Sequence, residues 1–129
     1  MQKLMRFSVV CIILAVATVA MAQFVKNVSP KEAYDYMQAN EGKYTLIDVR
    51  TPEEYNEGHI RGAELLPIAS PDFLVQVKKL PSNPVYVIYC RSGKRSKMAR
   101  KIFSETGHSV MHIDGGIRAW KRAGLPVVK

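Results

Sequence analysis

Val85-Tyr86-Val87-Ile88-Tyr89-Cys90-Arg91-Ser92-Gly93-Lys94-Arg95-Ser96 is the stretch on which the fold turns. Its first five residues are β-branched or aromatic and follow Pro84, the pattern of a buried strand. Beyond it, Met98, Ala99, Ile102 and Phe103 recur at helical spacing, which predicts a helix from Ser96 to Thr106 that Gly107 stops. Cys90 therefore falls where a strand ends, in a short loop that opens a helix. In open α/β sheets that carboxyl edge is where ligands bind.

The residues around Cys90 point to a reactive thiol. Backbone N–H groups of such a loop converge on the sulfur, and the helix N-terminus adds positive potential. Arg91, Lys94 and Arg95 add full charges, and Gly93 permits a backbone conformation that aims an N–H inward. These effects favour thiolate, the nucleophilic form. The competing reading, a small buried hydrophobe, would require three cations to be desolvated around a core residue. A phosphate-binding P-loop does not fit, because the GxxxxGK[ST] spacing is absent.

Outward from this stretch the chain alternates strands with helices. Val25 to Val28 reads as a weak first strand, and Ser29-Pro30-Lys31-Glu32 as a capping box opening a helix that ends near Gly42. Tyr44 to Val49 is the next strand. Thr51-Pro52-Glu53-Glu54 repeats the capping pattern for a short helix closed by Gly58. A short strand from Ala63 to Leu66 ends at Pro67, and Ser70-Pro71 starts a helix with Phe73, Val77 and Leu80 on one face. Ser109 to Ile113 is the last long strand, and Ile117 to Ala123 the last helix. This order predicts an α/β fold with a mostly parallel sheet between helical layers.

With those elements placed, the chain resembles the rhodanese-like sulfurtransferases. Cys90, Gly93 three residues later and Arg95 five later match that family's active-site loop. Asp48-Val49-Arg50, Pro52-Glu53-Glu54-Tyr55 and Gly58-His59-Ile60-Arg61-Gly62-Ala63 resemble its N-terminal signature. Gly115-Gly116, Trp120 and Gly124-Leu125-Pro126-Val127 resemble its C-terminal one. Leu65 departs from the pattern, where the family often has asparagine. The resemblance implies a rhodanese-like three-layer fold over residues 24–129. It also implies transfer of sulfane sulfur from a donor such as thiosulfate, through a persulfide on Cys90, to cyanide or a thiol. Arg91, Ser92, Gly93, Lys94 and Arg95 are then the substrate-binding residues. A non-enzymatic persulfide carrier or partner-binding module on the same fold is the alternative. In cysteine phosphatases the arginine stands six residues after the cysteine, a position held here by Ser96. The tighter ring is expected to suit one sulfur atom better than phosphate.

The first 22 residues read differently. Lys3 and Arg6 precede an almost wholly apolar run from Phe7 to Ala17, and Ala20-Met21-Ala22 offers a small-x-small cleavage site. The expectation is a cleaved secretory signal, an exported or periplasmic protein and no stable membrane insertion. The rival is an uncleaved anchor, although the apolar run is below the ~20 residues that span a bilayer. Cleavage would remove Cys11 and leave Cys90 as the only cysteine, the odd thiol of a reactive site.

The chain carries a formal charge of +8, of which Lys3 and Arg6 account for two. No aromatic stacking motif lies among the basic residues, which argues against nucleic acid. A small anionic donor, with cyanide or a thiol as acceptor, fits the cations better, and a monomer is expected. Arg50 and Asp48 end a strand on the same sheet edge as Cys90. Arg50 is a candidate substrate-binding residue, with an Asp48 ion pair as the structural reading. His59 is expected to pack and hydrogen-bond in its turn, and His108 and His112 to take surface or core roles. No histidine, aspartate and glutamate cluster has metal-ligand spacing, so neither metal nor cofactor is expected. Gly115 and Gly116 read equally as a close backbone approach and as a plain turn.

Overall fold

The computed structural model describes residues 23–129, so the expected signal at 1–22 lies outside the described residues. The elements run β1 (Val25–Val28), α1 (Pro30–Ala39), β2 (Tyr44–Asp48), α2 (Pro52–Glu57), β3 (Glu64–Leu65), α3 (Phe73–Lys79), β4 (Val85–Tyr89), α4 (Lys94–Glu105), β5 (Val110–Ile113) and α5 (Gly116–Arg122). Five strands form one sheet in the order β1-β5-β4-β2-β3. Every pairing is parallel, so the expected α/β fold is present with a fully parallel sheet.

The central strands are apolar on both faces because helices cover both. Alternation along β4 divides its side chains between the two layers. Val87 and Tyr89 enter a cluster with Met37, Ile117 and Trp120, on the side of α1 and α5. Tyr86, Ile88 and Cys90 enter the other, with Phe73, Val77, Ala99 and Phe103 from α3 and α4. Trp120 and Phe103 are almost fully buried, and burial of side chains this large contributes about 1.5–3 kcal/mol each. The Trp120 Nε1–H also donates to Pro126 O at 2.9 Å, satisfying its polar atom.

Three helices begin elsewhere than the side-chain signals place them, α5 by a single residue, at Gly116 instead of Ile117. Helix α4 starts at Lys94, two residues before the expected Ser96, because left-handed Gly93 (φ 100°) turns the chain directly into it. Helix α3 starts at Phe73, since 70–72 form a turn in which the Phe73 N–H reaches Ser70 O at 3.1 Å. The shift of α4 has a functional consequence, because it moves Ser96 from the helix start into its first turn.

Candidate active site

Cys90 follows directly on β4, and its side chain shares the α3/α4 face with Tyr86 and Ile88. Its residue surface is 1% exposed. The Gly93 N–H donates to Sγ at 3.1 Å and the Ser96 hydroxyl lies 3.3 Å away. Burial pushes the thiol pKa up. The Ser96 hydroxyl and the backbone N–H groups of Ser96, Gly93 and Ser92 outweigh that burial, and the thiol sits below its ordinary value. Hydrogen-bond donors lead the lowering, where the sequence had pointed equally to the cations.

Gly93 and Gly116 make this geometry possible. A Cβ on Gly93 would lie 3.3 Å from Gly115 N, in a backbone region that side chains disfavour. A Cβ on Gly116 would come within 2.6 Å of the Arg91 backbone. The first turn of α5 therefore lies directly against the loop. Its Ile117 and Arg118 N–H groups donate to Cys90 O and Arg91 O at 2.9 and 3.1 Å. Of the two readings of Gly115-Gly116, close backbone approach holds at Gly116. The carbonyls of Cys90 and Arg91 are engaged by α5, and N–H groups of the loop face the sulfur.

The expected cations divide into two sets. Arg91 and Lys94 are exposed, as is Ser92, and neither cation joins an ion pair among the described residues. Arg95 instead donates from both terminal nitrogens to Glu54, at 2.7 and 2.9 Å. That pairing is the main cause holding the Glu54 carboxyl at about 2. Glu54 also completes the capping box of α2, so the pair ties that helix to the cysteine loop.

Arg50, a candidate for substrate contact, is 5% exposed. Its Nε and Nη2 donate to Asp48, and Nη2 also donates to Gly58 O at 2.7 Å. The structure thus shows the ion pair of the structural reading, and it braces the turn into α2. A cleft of about 280 Å³ beside the loop is lined by Arg50, Glu54 and Glu57 and brings Arg91 together with Arg118 and Lys121 of α5. Those two cations carry no local sequence signal, because only the docking of α5 brings them near Arg91.

The histidines also separate. His59 stacks on Tyr55 with ring centroids 3.7 Å apart, and its Nδ1 lies 3.0 Å from Tyr55 O. His108 is buried with Nε2 2.9 Å from Val77 O. His112 is 1% exposed on β5, and its Nε2 lies 2.7 Å from Ser96 Oγ. Strand register is the signal that would have found it. His112 pairs with Ile88, two residues before Cys90, so the two side chains share one face.

The arrangement is a depressed thiol at a sheet's carboxyl edge, ringed by N–H donors and rimmed by cations. It is suited to nucleophilic attack on an anionic or polarisable atom. Known proteins agree with this chemistry. The chain is 40% identical over 84 residues to a sulfurtransferase of Allochromatium vinosum, covering 64% of this chain and 77% of that protein. It is 32% identical over 83 residues to the thiosulfate sulfurtransferase PspE of Escherichia coli, covering 64% and 77%. The match to the protein named "Probable adenylyltransferase/sulfurtransferase MoeZ" of Mycobacterium tuberculosis is 36% over 101 residues; it covers 78% of this chain and only about a quarter (26%) of that longer protein. Among solved structures, a rhodanese-related protein from Thermoplasma volcanium superimposes with a TM-score of 0.71 at 29% identity, over 80% of this chain and 97% of that one. The family profile described as "Rhodanese-like domain" matches residues 29–123, and with the parallel sheet and the cysteine loop in place the chain belongs to that family.

Proposed function

We propose that the protein is a sulfurtransferase that takes sulfane sulfur from thiosulfate, or a similar anionic donor, onto Cys90 and passes it to cyanide or a thiol. The observation that carries this reading is the Cys90 sulfur itself, held below its ordinary pKa by Ser96 and the loop N–H groups. Thiolate Sγ attacks the outer sulfur of thiosulfate. A new S–S bond forms, the old one breaks, and sulfite leaves with the electron pair. The persulfide's charge meets the same N–H donors. Cyanide or a thiolate then attacks the outer sulfur, and Cys90 leaves as thiolate. This is covalent catalysis in two displacements. Arg91, Arg118 and Lys121 of the cleft and the exposed Lys94 draw the anionic donor in, while Arg95 is held by Glu54 and shapes the loop. The thiosulfate sulfurtransferase among the relatives supports this choice of donor. The apolar leader further suggests export with cleavage after Ala22, and the reading includes no obligate partner.

The test is peptide-resolved mass spectrometry of the full chain. Thiosulfate is expected to leave the Cys90 peptide one sulfur atom heavier, and cyanide to reverse the gain. Cys90→Ser is expected to abolish both steps while the domain stays folded. A gain that persists in that variant, or none in the wild type, would overturn the reading. Persulfide formation without steady-state turnover would favour a carrier. N-terminal sequencing of protein from its native envelope checks cleavage, and recovery of Met1 in the membrane fraction would mean an anchor.

A further inference from the structure

Ser96 and His112 are both buried polar residues on the Cys90 face, at 0% and 1% exposure. A buried polar side chain costs stability unless it is hydrogen-bonded, and these two meet at 2.7 Å. The other ring nitrogen, Nδ1, has no hydrogen bond but stands 3.4 Å from the Asp114 carboxylate. Asp114 is half exposed, with its side chain 56% accessible. A continuous line of polar atoms therefore runs from a sulfur sealed off from water to a carboxylate in contact with it.

A serine hydroxyl has one proton. Around Ser96 Oγ stand His112 Nε2 at 2.7 Å, Cys90 Sγ at 3.3 Å and Gly93 O at 3.3 Å. When Nε2 is bare, it takes the Ser96 proton, and the Cys90 S–H points at Oγ. When Nε2 carries hydrogen, it donates into Oγ and the Ser96 proton turns to the sulfur. The His112 tautomer and the state of Cys90 are linked through that single proton.

We propose that Ser96, His112 and Asp114 form a proton relay that carries the Cys90 proton to solvent and leaves the thiolate with the Ser96 hydroxyl as its donor. The S–H bond breaks and its proton passes to Ser96 Oγ. The original hydroxyl proton passes to His112 Nε2. The Nδ1 proton leaves along Asp114 to water, so one proton is released overall. His112 is neutral before and after and changes only its tautomer, while Asp114 ends as the carboxylate it began. Ser96 touches the reacting sulfur, and His112 is a positioning residue acting through it.

The surroundings of His112 suit a station that passes a proton on. Burial and the Arg100 charge from α4 hold its pKa below the ordinary value, against the opposing pull of Asp114 and the Gly93 backbone. Arg100 is itself held by Asn27 of β1, the uncharged residue paired with His112 across the sheet. Cys90 reaches His112 on this face through Ser96. The relay rests on Cys90 being the reactive group of the proposed sulfur transfer, but its test needs no sulfur donor.

The test follows the ¹⁵N shifts of His112 in the full chain through a pH series, beside iodoacetamide alkylation of the Cys90 peptide. The relay predicts that His112 changes from the Nδ1–H to the Nε2–H tautomer at the pH where Cys90 becomes reactive. Ser96→Ala is expected to abolish that tautomer change and raise the alkylation inflection by about one to two pH units, the loss of a hydrogen bond to a charge. Ser96→Thr, which keeps the hydroxyl, is expected to preserve the coupling. A His112 that keeps one tautomer across the wild-type Cys90 inflection, or that still follows Cys90 in Ser96→Ala, would overturn the relay. Normal persulfide formation alongside such a result would leave the sulfur-transfer reading standing.

Discussion

Helices α1 and α2 begin with their N–H groups already engaged, whereas α4 and α5 begin with them open. Ser29 and Thr51 cap the first pair through complete capping boxes, each with a proline in the first turn. The second pair starts from left-handed glycines, Gly93 and Gly115, with no side-chain cap. Open donors at a helix start need another partner. At α4 the surrounding N–H groups face the Cys90 sulfur, and at α5 they take the loop's carbonyls. A side-chain cap makes a helix start self-sufficient; a glycine start leaves its donors for the site.

The sharpest way to break this comparison is Gly116→Ala. The methyl group would press within 2.6 Å of the Arg91 backbone at φ 60°. The expected loss is about 3 kcal/mol, in the range of strained or overpacked sites, read as a fall in denaturant midpoint with impaired sulfur transfer. Gly93→Ala comes next, at about 1–2 kcal/mol for a side chain at φ 100°. It should also raise the alkylation inflection of Cys90, because the Gly93 N–H bonded to Sγ is displaced. An unchanged inflection would remove that N–H from the ionisation. Ser29→Ala supplies the contrast: about 1 kcal/mol lost with its cap, and Cys90 reactivity unmoved.

The smallest expected effect lies where the two kinds of start meet, at Glu54, which caps α2 and holds Arg95 of α4. Its folded pKa of about 2 is below the ordinary 4.5. The stability it contributes is therefore fully present above pH 4.5 and lost as pH falls toward 2. Glu54→Gln should cost about 0.5–1 kcal/mol at neutral pH, since a pair with its arginine a third exposed is partly screened. The gap from wild type should close on acidification. A gap that stays constant below pH 4.5 would mean that the pair contributes only through packing.

Much of the fold was legible because it is written in local chemistry. The β-branched run at 85–89, both capping boxes and the cysteine loop each sit within a few adjacent residues. The start of α4 lies two residues before its side-chain signal because a left-handed glycine, unlike a capping side chain, resembles any turn glycine. Arg50 was legible as a choice, and its two-residue spacing from Asp48 gave the ion pair its geometry. Arg95 looked like an open cation because its partner Glu54 is 41 residues away. His112 was hidden for the same reason, since only the parallel register of β4 and β5 turns it toward Ser96.

That register also sets the order in which the supports of the cysteine loop arise during synthesis. The loop draws on β5 for His112, which meets Ser96, and on α5 for the engagement of the Cys90 carbonyl. Strand β1, made first, pairs only with β5, with Val25 opposite Val110. Pairings this distant in sequence close late, after their loop entropy has been overcome. A chain that ends before α5 already holds Ser96 and the loop N–H groups that face the sulfur, but lacks the helix turn that engages the carbonyls of Cys90 and Arg91. The last helix to be made therefore braces the loop from its carbonyl side, while the donors to the sulfur come from residues made before it.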